Sequence, residues 1–355
     1  MSALERLDRF WRRPMPATRL ATIRLIVGLF GAIYLAIRTP HLLSYALDDV
    51  DRFRPVGVIA LGGAPILPAV YQALVIATVA LAFVFLAGWR HRILAPIYAG
   101  LLWVVLTYSN SWGQIMHTDN LLLLHVVVLA LTPSADALSM DATRKGPPER
   151  HVDKRYGWPV RLLVAVGVVP YLLAGVAKLQ NSGFDFVAGE TLRNYVGFDN
   201  VRKLELGSVH SPLGAWLLPY PAFFSVLAWV SFVLELGAPL AVFGRRLGKL
   251  WAIAVWGFHV GVLALMAIGF VYQLTFVAFA PYFDVEKLWD RKPLKRLLAK
   301  LGWDSPGSAL PEPDAPDVAG LDKAPEPADD QADGVGRVGD GHEAAEAEDE
   351  PDHHP

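Results

Sequence analysis

The side chains able to do chemistry in this chain are a few ionisable residues set in or beside long apolar runs. They are Lys178, Glu235, His259 and His125, the cluster His117, Asp119 and Asn120, and Arg24. Ionisable groups in apolar segments are costly and usually turn inward, and what such groups can do is bind and pass protons. Lys178 is the most telling of them. It closes YLLAGVAKLQ, residues 171–180, and a polar loop, NSGFDFVAGETLRNY, follows. The apolar run from Pro159 to Leu179 is about 20 residues, enough to cross a bilayer, which predicts a helix with Lys178 at or just inside one membrane face. Gly167, Tyr171, Ala174 and Lys178 share one side of that helix at i, i+4, i+7 and i+11. Small residues there let a neighbouring helix approach and hold the amine against protein. The plainer alternative is that Lys178 snorkels to the headgroups.

His117, Asp119 and Asn120 precede the apolar run 121–131, and His125 lies one turn into it. Two readings stay open: an ordinary helix start capped by Asp119 or Asn120, or a polar pocket shared with Lys178. Glu235 and His259 sit on adjacent apolar runs joined by a five-residue turn, at matching distances from it. They read as an intramembrane polar pair. A charge-neutralising contact, Glu235 with His259 or with Arg24, is one reading, and a proton relay is the other.

The elements that must position these residues follow from composition. Of 355 residues, 54% are hydrophobic and 19% charged, below the about 25% charged typical of soluble domains. Apolar runs at about 19–37, 66–87, 93–108, 121–131, 159–179, 221–243, 250–268 and a short one at 270–283 predict an all-α polytopic membrane protein of about eight transmembrane helices. Proline and glycine between 38 and 65 predict an irregular stretch there. The loops 88–92, 139–158 and 244–249 are rich in Lys and Arg while 109–120 has none. The positive-inside rule then puts both termini in the cytoplasm. The 109–120 link, the 180–220 loop and Lys178 fall on the extracytoplasmic side. Localisation in the cell membrane follows, with residues 1–18 a basic interfacial segment leading into a start-in anchor helix.

Residues 304–355 carry 16 acidic and 2 basic side chains, leaving 18 and 30 in the rest, so the body is +12 and the tail −14. That tail has almost no large apolar side chains and is expected to be disordered, following a basic segment at 286–303. The absence of cysteine excludes disulfides and thiolate chemistry. The histidines are too scattered to imply a metal, and nothing resembles a nucleic-acid platform.

WRRP followed by LATIRLIVGLF, the polar turn before LLLL, YLLAGVAKLQ leading to GETL, and LELGAPL followed by WGFHVGV together resemble the horizontally transferred transmembrane (HTTM) domain, over roughly residues 10 to 285. That domain is related to the membrane part of vitamin K-dependent gamma-glutamyl carboxylase. The resemblance implies a reduced menaquinone or vitamin K-type quinol acting with oxygen and carbon dioxide at the extracytoplasmic face. It matches Lys178 to a lysine base and His117 to a histidine of the lumenal link, with Ala177 replacing a second lysine of the family pattern. Asp119, Asn120, His125, Tyr171 and Arg193 would line the substrate pocket. Desolvation would be what leaves the Lys178 amine neutral enough to act as a base. This chain lacks the carboxylase's large lumenal part, so two other classes stay open. One is a non-catalytic membrane protein binding lipid or a peptide or protein partner, of immunity or assembly type, and the other is a proton-coupled transporter.

Overall fold

The computed structural model describes residues 2–113, 117–145, 151–294 and 296. The acidic segment 304–355 lies outside the described residues. In chain order the helices are α1 (Ala3–Trp11), α2 (Ala17–Ser44), α3 (Pro68–Ala87), α4 (His91–Asn110), α5 (His117–Ala130), α6 (Met140–Lys145) and α7 (Lys154–Ser182). After these come α8 (Glu190–Glu205), α9 (Pro212–Leu217), α10 (Pro221–Leu236), α11 (Leu240–Phe243), α12 (Arg245–Met266) and α13 (Val271–Leu274). Two short strands, β1 (Met15–Pro16) and β2 (Val152–Asp153), pair antiparallel and tie the start of α2 to the start of α7.

Among the described residues, five helical segments are long and apolar enough to cross a membrane: Ala17–Leu47, Pro68–Ala87, His91–Asn110, Lys154–Ala188 and Arg245–Met266. The helices at Thr118–Ala130 and Pro221–Leu236 are apolar but shorter. Helix α2 is the hub, packing on α3, α5 and α7. Its Leu20, Ile23, Val27 and Leu35 are fully buried, at the three- and four-residue spacing of one helix face. Gly28 admits α3, since a Cβ there would lie 3.3 Å from the Leu86 Cα.

Three sequence expectations need correction. Helix α2 runs to Ser44 and so takes in residues 38–44, because Pro40 sits inside it without ending it. Helix α10 ends at Leu236, before Gly237 and Pro239, so the expected run 221–243 is broken into α10 and α11. The eighth segment, 270–283, is no helix: four helical residues are followed by Phe276 in the left-handed region (φ 66°) and a 3-10 turn containing Pro281. It nevertheless runs from the far end of α12 back to residues at that helix's start, because Asp284 pairs with Lys249. Tyr272, Ala278, Phe279, Ala280 and Tyr282 are all buried along the way. Irregular backbone at membrane depth is tolerated where protein shields it.

The basic end is held by charge. Asp284 accepts from Arg19 at 2.5 Å, from Lys249 at 3.0 Å and from Arg245, while Glu286 also pairs with Arg19 at 2.5 Å. Burial works against ionisation of Asp284, but bonds from Arg245 and Lys249 and the charge of Arg19 outweigh it and hold its pKa down to about 2. Nearby, the fully buried Arg24 makes no ion pair among the described residues. It donates to the Phe85, Leu86, Ser134 and Leu138 carbonyls at 2.6–3.1 Å, closing the end of α3 onto the 131–139 loop.

Two outcomes are expected in melting experiments on purified protein. Arg24→Met, which strands those carbonyls, lowers stability by on the order of 3 kcal/mol. For Asp284, a lowered folded pKa means stability is fully present above the ordinary carboxylate range and is lost as pH falls toward about 2. The melting temperature should be flat from about pH 7 to 5 and fall between about pH 4 and 2. Asp284→Asn should lower the plateau and flatten that acid limb.

Candidate functional site

Lys178 lies one turn before the end of α7, a helix that carries Pro159 and Pro170 within it rather than starting at Pro159. Its neighbour is set by Gly175, where a Cβ would come within 2.9 Å of Leu236 Cδ2 and 3.0 Å of Glu235 Cβ. Only hydrogen lets α10 come this close, so a helix does approach beside Lys178, but through Gly175 rather than through the Gly167 and Ala174 named from the sequence, and Gly167 instead faces Tyr282. Ser231 and Glu235, four residues apart on α10, then share the face that meets α7.

The Lys178 Nζ lies 2.6 and 2.5 Å from the two Glu235 carboxylate oxygens and 2.7 Å from Ser231 Oγ. Ser231 Oγ also donates to Glu235 at 3.3 Å. The 3-10 turn Gly183–Ala188 folds over the pair and sets the Phe186 ring 5.0 Å from the amine. That turn ends on Gly189 at φ 88°, where a Cβ would lie 2.4 Å from the Ser225 nitrogen, so the roof can sit on α10 only with glycine there. The Lys178 side chain is 26% exposed and that of Glu235 6%, which rules out a lysine extended to the headgroups. Desolvation among apolar groups alone is not the environment found: a carboxylate holds the amine.

The other candidate residues divide among separate clusters. Tyr171 OH bonds to His259 Nε2 at 2.8 Å, with Trp251 packed edge-on at 5.2 Å. His125 Nδ1 meets Tyr272 OH at 2.6 Å. Asp119, fully buried, accepts from Arg38 at 2.8 and 2.9 Å and from Tyr34 OH at 2.7 Å. Asp119 is therefore an ion-pair partner inside the first turn of α5, which starts at His117, and not its cap. Asn120 is exposed. Arg193 donates to the Leu218 carbonyl at 2.7 Å and pairs with Glu190. The His117 side chain lies outside the described residues.

The expected Glu235–His259 contact is not the one made, and neither is Glu235–Arg24. Glu235 faces Lys178, whereas His259 faces Tyr171, seven residues earlier on α7 and about 10 Å along it. Counting from the turn assumed a continuous helix through residue 243, and the break after Leu236 removes that ruler. The partners that sequence reasoning missed are Ser231, Phe186, Arg38, Tyr34 and Tyr272. Ser231 was signalled by its four-residue spacing from Glu235; the others were not signalled by any local pattern. Buried Tyr272 and Gln273 are consecutive on α13, and Tyr272 links that short element to His125.

A bundle of apolar helices whose buried charges are met by ion pairs or hydrogen bonds within the protein defines a polytopic helical membrane protein. The chain matches the HTTM domain over residues 12–289 and belongs to the HTTM family. No curated protein and no solved structure matches it.

Removing one member of the pair exposes its structural share. Lys178→Met leaves Glu235 buried and uncompensated and should cost about 3–5 kcal/mol in denaturation measurements. Adding Glu235→Leu should recover most of that loss.

Proposed function

We propose that this HTTM protein is a membrane enzyme that removes a proton at the Lys178–Glu235 pair, using a quinol as co-substrate. The observation that carries this reading is the amine held by both carboxylate oxygens inside the α7–α10 contact, beneath an aromatic ring. As an ion pair, Lys178 has no free lone pair, and Glu235 is the group able to accept. Glu235 would receive a hydroxyl proton while the Lys178 ammonium stabilises the negative charge left behind. The two act as one base, which extends the role that the family resemblance assigns to Lys178 alone.

A reduced quinol of the menaquinol or vitamin K type fits these residues. Phe186 and Phe232 supply flat apolar surface beside the pair. His259 Nδ1 on α12 and Gln273 Oε1 on α13 are buried hydrogen-bonding atoms without a partner among the described residues. Oxidised by oxygen, such a quinol would supply a strong base able to deprotonate a carbon acid, and carbon dioxide would then add to the carbanion. The Lys- and Arg-rich end, placed inside by charge, would leave the site open toward the extracytoplasmic face of the cell membrane.

The same geometry favours a second reading, in which the pair is a latch between helices of a non-catalytic protein that binds lipid or a partner. Binding of a menaquinol analogue to detergent-purified protein separates the two. Wild type should bind with an affinity that depends on pH, and Glu235→Gln should abolish that dependence. The refolded Lys178→Met/Glu235→Leu variant should lose binding by at least about tenfold. Binding of equal strength and pH profile in that folded double variant would leave the latch.

A further inference from the structure

In the segment after the roof of the site, three polar side chains, Asn200, Lys203 and Ser211, face the bundle. An α-helix leaves its last four carbonyls without partners. At the end of α12 each of the four is satisfied individually. Leu263 O accepts from the Ala267 backbone at 2.9 Å, and Ala264 O from Ser211 Oγ at 2.5 Å. Leu265 O accepts from Asn200 Nδ2 at 3.0 Å, and Met266 O from Lys203 Nζ. Asn200 Oδ1 in turn accepts from the Ser211 nitrogen at 2.6 Å, locking α8 to the turn before α9. Gly214 completes the fit, since a Cβ there would lie 2.0 Å from the Leu265 carbonyl oxygen. The cation of Lys203 also complements the negative end of α12.

This fixes α8 and α9 at the level where a membrane-crossing helix stops. With Asn200, Lys203 and Ser211 held on α12, the segment turns apolar and aromatic side chains outward. Tyr195 is 62% exposed, Phe198 68%, Val201 53%, Val209 80% and Trp216 65%. Arg202 and Glu205 are exposed among them. Aromatic rings and aliphatic groups interleaved with charges, at the depth of a helix end, match the headgroup layer of a bilayer.

We infer that residues 190–220 form an interfacial cap bedded in the phospholipid headgroup layer, with Tyr195, Phe198, Val201, Val209 and Trp216 in contact with lipid, rather than a loop in water. The occupant of this surface is the bilayer interface itself. The inference goes beyond the proposed reaction and does not rest on it.

The absence of cysteine makes the test direct. Phe198→Cys, Val209→Cys and Trp216→Cys are each labelled with a nitroxide on the full chain in phosphatidylcholine–phosphatidylglycerol liposomes. Leu173→Cys, on the exposed face of α7, serves as the lipid reference. Because all four positions are exposed, unchanged melting confirms folding. Oxygen should relax the three cap labels more strongly than a water-soluble nickel chelate, at depths about 5–10 Å below the phosphates. Dominant relaxation by the chelate would overturn the proposal in favour of a water-facing loop. Protection from both reagents would overturn it in favour of a face covered by protein.

Discussion

Polar groups that leave water for a membrane have to be satisfied by the protein itself, and the fold is arranged around that requirement. Arg24 shows it most plainly. A guanidinium buried without a carboxylate is held by four carbonyls drawn from the end of α3 and the 131–139 loop. Its five N–H groups in a rigid fork serve four acceptors at once, one more than the three donors of a lysine could. The end of α12 answers the same requirement with three side chains and one backbone amide. Asp284 answers it at the basic end by gathering three cations.

The Lys178–Glu235 pair belongs to this set and differs from it in one respect. Arg24 and Asp119 are enclosed by structure-holding contacts, whereas Lys178 keeps partial access beneath a ring on a 3-10 turn. Buried ion pairs contribute little net stability over apolar residues of similar volume. That accessible side is what sets this pair apart from the enclosed charges. The glycines at 175 and 189 make the arrangement possible, one by admitting α10 and the other by letting the roof turn back onto it.

The irregular segment 267–284 is the element that brings distant polar residues within reach. A continuous helix would have presented side chains at a fixed 100° interval. The four-residue α13 instead places Tyr272 against His125 and buries Gln273 beside it, and the later turn delivers Tyr282 to the Val164 carbonyl at 3.0 Å. Breaking helical regularity is affordable here only because neighbouring helices cover the exposed backbone.

Composition and periodicity by themselves determined the class of protein, the approximate places of seven apolar helices and the basic turns. Those properties depend on local hydropathy and on residues near in sequence. Even the close approach of a helix beside Lys178 was legible, because small residues at helical spacing have few other uses in an apolar run. What only the tertiary structure decided was which charged groups meet. Glu235 lies 57 residues from Lys178, and Asp119 lies 81 from Arg38. Their pairing depends on helix rotation, on the break at Gly237–Pro239 and on the shielding of residues 270–283. None of these is set by hydropathy: the break is a local effect of glycine and proline, and the other two arise from contacts between elements far apart in the chain.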